Sequence, residues 1–582
     1  MTKFYRKNYP RPQFVRDSYI CLNGEWNFRF DCCNEGVTNK WASGFSGDPI
    51  QVPFSYESAL SGIGTDRQYP SVWYCRKAVF PHSSGEHVLL YFEGCDYLTK
   101  LWVNGQYIGR HFGGYTRFCF DITDALNEEE ALIVIQASDS RDAAQPRGKQ
   151  RWLSENYDCW YTQTTGIWKT VWAEVVDRNH LEDVKITPLF DEDSVMFQYK
   201  IAGAAEDKLE LETVVLFDDV LVYQGKEQVL RPFFARTVSL VGDFSKWKVK
   251  YWSPEKPNLY DVEFRLYRGG ALIDRVGSYF GIRKISADSK RVTLNNQEIY
   301  LKMVLDQGYW ENGLLTPPDE DAIVLDLEKA LKYGFNGIRK HQKIEDERFY
   351  YWADVLGVMV WCESPSAYEF RTDTVKRTTT EWLSIVEQHY NHPSVIAWVP
   401  FNESWGVPKV YTDGKQQNFV QGIYHLTKTV DGTRPVIGND GWEHTATDIL
   451  TLHDYAPDGD TLLRHWNHRE RVITGEEAFN DERFALARGH AYEGQPIVLS
   501  EFGGIAYKSE KGWGYGQTEN SEEDFLARFR SLIEAVAKLD FVCGFCYTEL
   551  TDVQQEMNGL MDMRRQEKIS PAKIREIMEE IG

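Results

Sequence analysis

Two glutamates stand out by what precedes them. Residues 395–401 run Val-Ile-Ala-Trp-Val-Pro-Phe and end abruptly in Asn402-Glu403. Residues 497–500 run Ile-Val-Leu-Ser and end in Glu501. A β-branched and aromatic run reads as a buried strand, and a polar end reads as that strand opening into a pocket. A carboxylate placed there is costly unless it is partnered or working. Two carboxylates opposed across one pocket can serve as an acid/base and as a nucleophile or second base, which is the equipment of glycoside hydrolysis. A separation of ~5–5.5 Å goes with retained anomeric configuration and a wider one with inversion.

What must position the pair is a set of alternating elements. From residue 286 onward, strand-like runs occupy 299–305, 337–340, 358–362, 395–401, 436–439, 449–453, 497–500 and 542–547. Helix-like stretches lie between several of them, at 319–333, 346–356, 378–390, 418–429 and 522–539. Eight such units predict a (β/α)8 TIM barrel over 286–582, with catalytic groups at the C-terminal ends of the strands. A doubly wound sheet fits less well, since no Gly-rich phosphate loop follows the first strand. The rule gathers Asp306-Gln307, Arg339-Lys340-His341, Glu363, Asn402-Glu403, Asn439-Asp440, His453-Asp454-Tyr455 and Glu501 around one mouth. Glu403 and Glu501 end the fourth and seventh strands, across that mouth from each other.

Ahead of the barrel the texture is all β. Residues 1–180 carry short strands with turn punctuation, and Asn104-Gly105 between two apolar runs predicts a type I′ hairpin. The pattern predicts a jelly-roll β-sandwich. Residues 181–285 carry alternating strands such as 195–201 and 262–267. They predict an immunoglobulin-like β-sandwich on length and strand count, without the Cys…Trp…Cys signature. The turn-rich corner from Trp252 to Tyr260 reads as structural.

Composition narrows the function. The formal net charge of -22 argues against nucleic acid and anionic membrane as partners. No apolar run reaches the ~20 residues of a membrane span. The N-terminal residues have no apolar core after their basic positions, so no secretory signal is expected. Ten scattered cysteines, including Cys32-Cys33 and Cys543-Gly-Phe-Cys546, suit a reducing cytoplasm better than a redox or zinc site. Aromatic residues are abundant, 19 Trp, 32 Tyr and 31 Phe, and Trp and Tyr faces can stack on the apolar faces of sugar rings. Large acidic multidomain chains often associate, so a homo-oligomer stays open.

The chain resembles glycoside hydrolase family 2 over nearly its whole length, with a sugar-binding-like jelly roll, an immunoglobulin-like sandwich and a barrel in that order. Asn402-Glu403-Ser404 after His392-Pro393-Ser394 is similar to the family's acid/base segment. Ser500-Glu501-Phe502-Gly503-Gly504 is similar to its nucleophile segment. Gly334-Phe335-Asn336-Gly337-Ile338-Arg339 resembles the segment that sets an Arg beside the nucleophile. Thr164-Thr165-Gly166-Ile167-Trp168 and Phe280-Gly281-Ile282-Arg283 match non-catalytic landmarks. The resemblance implies retaining double displacement, with Glu501 as nucleophile and Glu403 as acid/base. It also implies Arg339 holding Glu501 ionised, Asn402 on the 2-hydroxyl and Tyr455 beside the nucleophile.

The departures bear on the sugar. Lys340-His341-Gln342-Lys343 replaces the family's Ser-His-Tyr-Pro, the first strand ends in Asp306-Gln307-Gly308-Tyr309-Trp310, and the last ends in Tyr547-Thr548-Glu549 where a Trp is usual. The Asn-x-Lys carboxylate clamp of β-glucuronidases is missing, since Asn558 is followed by Gly559-Leu560, which argues against a uronic acid. His341, Asp306 and His453 are candidate hydroxyl ligands beside a plain structural reading, and Trp405 and Trp513, with Trp310, are candidate sugar platforms. His453, Asp454 and Glu363 lack the spacing of a metal site, so neither metal nor cofactor is expected. The expectation is a retaining exo-glycosidase acting on terminal non-reducing residues of small neutral oligosaccharides, β-galactosidase-like. A β-galactofuranosidase or α-L-arabinosidase on the same scaffold is the alternative. From another class, the alternative is a non-catalytic carbohydrate-binding protein.

Overall fold

Short strands of alternating burial dominate the first domain of the computed structural model, which describes residues 1–203, 208–241, 248–288, 290–479, 483–508 and 512–580. Two antiparallel sheets face each other. One has six strands, Asp48–Val52, Gly24–Phe30, Val72–Val79, Glu130–Ser138, Leu98–Val103 and Gln106–Phe112 in spatial order. The other has four, Tyr19–Cys21, Val171–Asp177, Glu86–Phe92 and Phe118–Asp121. Their inner faces enclose Trp26, Phe28, Tyr74, Phe92, Ile133 and Ile167. Val103 pairs with Gln106 across a two-residue turn. Asn104 and Gly105 in that turn have φ of 49° and 80°, the two positive values a type I′ hairpin requires.

The second domain is a smaller sandwich of three and four strands. Val195, Phe197, Leu211, Val262 and Phe264 fill it from both sheets. Its corner residue Trp252 is fully buried, and its Nε1 donates to the Asp354 carbonyl at 2.8 Å, fixing this domain to a barrel helix.

The third domain is a curled, parallel sheet with helices outside it. Seven strands follow one another in space: Val395–Val399, Met359–Glu363, Gly337–Lys340, Leu301–Asp306, Val542–Thr548, Ile497–Gly503 and Leu450–Asp454. The expected strand at 436–439 is not a regular one. Isolated bridges, Trp398 to Val436 and Asn402 to Asp440, stand in its place. The reason is chemical. Pro435 has no N–H to give a ladder, and a Cβ at Gly438 would lie 2.1 Å from the Ala446 carbonyl oxygen. The segment still closes the ring on one side, through Ile437 N to Trp398 O at 2.9 Å and Asp440 N to Phe401 O at 2.8 Å.

Outer helices form where apolar residues recur at three and four and a cap is present. Glu522–Lys538 is capped by the Ser521 hydroxyl on Asp524 N, and buries Phe525, Phe529, Leu532, Ile533 and Val536 on one face. Two expected helices begin earlier than read, as Thr372–His389 and Gly414–Val430. Among the described residues no helix is long and apolar enough to cross a membrane.

Candidate active site

Glu403 follows the fourth strand on a backbone turn that L-residues seldom make. Glu403 and Ser404 have φ of 50° and 60°, a conformation that costs of order 1–3 kcal/mol each. Glu403 N to Asp440 O at 2.8 Å and Ser404 N to Asn439 Oδ1 at 3.0 Å hold it. The turn aims the Glu403 carboxylate back over the strand mouth. Glu501 lies within the strand Ile497–Gly503, so its position is fixed by sheet pairing.

Arg339 organises the floor of the site. It is fully buried. Its Nη1 donates to Glu501 Oε1 and pairs with Asp440 Oδ2, both at 2.8 Å, its Nε donates to Glu363 Oε2 at 2.7 Å, and its Nη2 donates to Asn402 Oδ1 at 2.8 Å. Burial opposes the guanidinium charge, but Asp440, Glu363 and Glu501 more than offset it and hold its pKa well above the ordinary value. Burial pushes Glu363 up to about 7, with Arg339 opposing and the Asp440 charge adding to the rise. Asn402 spends its oxygen on Arg339, and its buried Nδ2 has no partner in the protein. That leaves one amide donor for a substrate hydroxyl.

His453 bridges the two glutamates. Its Nδ1 lies 2.9 Å from Glu403 Oε1 and 3.4 Å from Glu501 Oε2, while its Nε2 lies 2.9 Å from Asp440 Oδ2. Burial disfavours the imidazolium, yet Glu501, Asp440 and Glu403 raise its pKa to about 10. In turn, burial pushes Glu403 up, but the His453 hydrogen bond and charge, then Lys149 and His341, bring it down to about 2. Tyr455 donates its hydroxyl to Glu501 Oε2 at 2.6 Å, and its ring stacks on Tyr515.

The expected site residues thus divide. Glu403, Glu501, Asn402, Arg339, His453 and Tyr455 share one hydrogen-bonded network. His341 sits at its edge, with Nδ1 3.1 Å from Glu363 Oε1 and 3.9 Å from Glu501 Oε1. Trp405 touches the pair, its Nε1 lying 3.3 Å from Glu403 Oε2. Trp513 is further out, packing edge-on against Tyr515 and donating to the Asp158 carbonyl. Asp306 is not brought to the pair. It is fully buried and takes the Lys340 ammonium at 2.6 Å, while Glu345 takes Lys340 and Lys343 at 2.8 and 2.7 Å. The unusual Lys340-His341-Gln342-Lys343 segment is therefore largely a buried charge lattice beneath the mouth.

The sequence places Glu549 at the end of the last strand without a role, and several pocket residues escaped the sequence altogether. Glu549 and Glu556 both accept from Gln307 Nε2, at 3.0 and 3.2 Å. Burial, then the Glu556 charge, holds the Glu549 carboxyl well above the usual carboxylate range. Tyr161, from the first domain, donates its hydroxyl to Glu556. Lys149 is also from the first domain and buried; burial opposes its charge, but Cys159 and Tyr368, then Glu556 and Glu403, hold its pKa well above the ordinary value. No spacing signal could link these residues, because they meet only where one domain's loop crosses another's mouth. Glu403, His453 and Glu501 also offer donor atoms all within 4.8 Å of one another, a set that could hold a metal ion. That donor set was not foreseen, since its members are far apart in sequence.

Comparison with known proteins agrees in order and extent. The descriptions "Glycosyl hydrolases family 2, sugar binding domain", "Glycosyl hydrolases family 2" and "Glycosyl hydrolases family 2, TIM barrel domain" match residues 20–172, 179–283 and 285–513. A β-galactosidase of Thermoanaerobacter pseudethanolicus is 24% identical over 467 residues, covering 78% of this chain and 58% of that one. A β-glucuronidase of Streptococcus agalactiae is 22% identical over 614 residues, covering 96% of each. The solved structure of an uncultured Clostridium sp. β-glucuronidase shares the fold with a TM-score of 0.78 at 20% identity, over 99% of this chain and 100% of that one. The chain spans about half the length of several curated relatives it matches, 47%, 58% and 47% in three of them. With three matched segments running in one order from residue 20 to residue 513, the chain belongs to glycosyl hydrolases family 2.

Proposed function

We propose that the protein is a retaining exo-glycosidase that removes terminal non-reducing residues from small neutral oligosaccharides, with β-galactosidase-like specificity. Its functional units are residues 1–180, 181–285 and 286–582. The observation that carries the reading is the spacing of the two glutamates. One oxygen of each lies within 4.8 Å of one oxygen of the other, which is closer to the ~5–5.5 Å of retaining enzymes than to the wider gap of inverting ones.

In this mechanism Glu501 attacks the anomeric carbon as Glu403 protonates the departing oxygen. Water then attacks the glycosyl-enzyme and gives its proton to Glu403. Arg339 keeps Glu501 anionic and fixes its direction. Asn402 donates its free amide to the 2-hydroxyl, a contact that strengthens as positive charge grows at the anomeric centre. Glu556 supports a neutral glycone, because its charge on the strand-end side would repel a sugar carboxylate. Asn558, at the place of a uronate clamp, spends its amide on Glu556 at 3.1 Å. Ten cysteines, all free, suit a reducing cytoplasm.

A panel of aryl glycosides tests the reading. It should include the β-galactopyranoside, β-galactofuranoside, α-L-arabinoside and β-glucuronide, each with wild type and with Glu501→Gln. The β-galactopyranoside is expected to be cleaved best, and Glu501→Gln to be inactive on all four. Preferred cleavage of the glucuronide would overturn the neutral glycone. Full activity of Glu501→Gln would overturn the mechanism.

A further inference from the structure

The acid/base carboxylate abuts an aromatic wall that two domains build together. Trp152 and Trp160 come from a first-domain loop, Tyr368 and Trp405 from the barrel. Trp160 meets Trp405 and Tyr368 edge-on, both with ring centroids 5.4 Å apart, and Trp152 stacks on Tyr368 at 4.5 Å. The loop is pinned where it crosses. Arg147 N and Gly148 N donate to the Ser366 carbonyl at 3.0 and 3.1 Å, and Tyr368 donates its hydroxyl to the Gly148 carbonyl at 2.6 Å.

This wall meets the glutamate pair at Glu403. Trp405 is the member that touches Glu403, whereas Tyr455, Tyr515 and Trp513 flank Glu501. The acid/base must face the departing oxygen, so a wall against it borders the path of the leaving group. Trp152, Tyr368 and Trp405 are half-buried, and so keep ring surface for a ligand. Lys149 lies at the same junction. Tyr161 N donates to its carbonyl at 2.8 Å, and its ammonium meets the Cys159 thiol, with the Glu556 and Glu403 charges also in reach. An ammonium held this way can donate to ring hydroxyls, and aromatic faces accept the C–H face of a sugar.

We propose that Trp152, Tyr368 and Trp405, backed by the buried Trp160 and joined by Lys149, form the leaving-group subsite, and that it takes the second sugar ring of an oligosaccharide. The proposal rests on the retaining-glycosidase reading above. In the first displacement the C1–O bond to this second sugar breaks as the Glu501–C1 bond forms, and the Glu403 proton passes to the sugar's oxygen. In the second, a hydroxyl of water, or of a sugar returning to the subsite, attacks C1 and returns a proton to Glu403 as the Glu501–C1 bond breaks and Glu501 leaves as a carboxylate. The first domain then selects the leaving group.

The test compares two substrates with one glycone: a β-linked disaccharide and the 2,4-dinitrophenyl glycoside. The activated aryl group leaves without help, so its turnover reports the second displacement with water. Trp160→Ala and Trp152→Leu are each expected to lower kcat/KM on the disaccharide about 30-fold or more, against about threefold or less in kcat on the aryl glycoside. They are also expected to suppress transfer to added methyl glycoside acceptor. Trp152→Leu changes a half-buried position and carries the test should Trp160→Ala fail to fold. Equal losses on both substrates would overturn the proposal in favour of a glycone or purely structural role. A wild type that cleaves neither substrate would overturn the glycosidase reading, and this proposal with it.

Discussion

His453 Nδ1 lies 2.9 Å from Glu403 Oε1. With His453 raised to about 10 and Glu403 lowered to about 2, the pair favours an imidazolium facing a carboxylate. In the mechanism proposed above, substrate is expected to shift that shared proton to Glu403 by displacing water and weakening the ion pair.

A pH profile follows from this pairing. Activity needs one proton on the dyad, so kcat/KM in wild type should fall on the alkaline side only as the dyad loses that proton, towards pH 10. His453→Asn removes the cation that depresses Glu403. The proton then sits on Glu403 alone, and the alkaline limb should move down by about one unit or more. An unmoved limb, measured on an aryl glycoside, would show that His453 does not share the proton.

Zinc should inhibit. Two carboxylates and one imidazole within 4.8 Å form a donor set of the kind zinc takes, and an ion there would occupy both catalytic oxygens. Micromolar zinc should abolish turnover and EDTA should restore it, with loss of zinc sensitivity in His453→Asn. Stimulation by zinc would contradict the catalytic roles given to the pair.

A separate histidine serves stability. His392 is fully buried between Asp354 and Glu347, with Nδ1 2.6 Å from Asp354 Oδ2 and Nε2 3.2 Å from Glu347 Oε2. Burial works against its charge, but Asp354 and Glu347 raise its pKa to about 9. Its folded pKa exceeds the unfolded one, so the contribution is complete below pH 6.5 and is lost as pH rises through 9. At most roughly 3 kcal/mol is involved. His392→Asn should therefore destabilise most in mildly acid solution, and denaturant curves for the two proteins should converge above pH 9. Tyr279 also donates to Asp354 at 2.8 Å, and Arg117 pairs with Glu347 at 3.0 Å, so the same cluster ties all three domains.

Gly148 tests the domain crossing. It has a φ of +60°, and a Cβ there would lie 2.2 Å from the Gln342 carbonyl oxygen. Gly148→Ala should displace the loop from the mouth and lower kcat/KM on a disaccharide about tenfold or more. Gly62→Ala, at φ +85° with open space around its Cβ, separates backbone strain from the clash and should retain activity.

Much of the barrel was legible because its strands are buried on both faces and therefore read as unbroken apolar runs with polar ends. That pattern placed Arg339, Glu403, Glu501 and Tyr455 at one mouth. It failed at 436–439, where an apolar run flanked by Pro435 and Gly438 reads as a strand but cannot make a full ladder. It left Asp306 open between a hydroxyl ligand and a salt bridge, because a strand-end position does not reveal whether a side chain turns into the pocket or onto Lys340. Lys149, Tyr161 and the Trp160 wall were illegible, since loop residues of a β-sandwich carry no periodicity that points to another domain.

In the proposed mechanism Glu501 forms the covalent bond to the sugar. A 2-deoxy-2-fluoro aryl glycoside of the active glycone slows both displacements and, with a good leaving group, traps the glycosyl-enzyme. One sugar per chain is expected by intact mass, on the peptide that contains Glu501, with no label in Glu501→Gln. Label on Glu403 or another residue, or steady turnover with inverted product and no adduct, would contradict it.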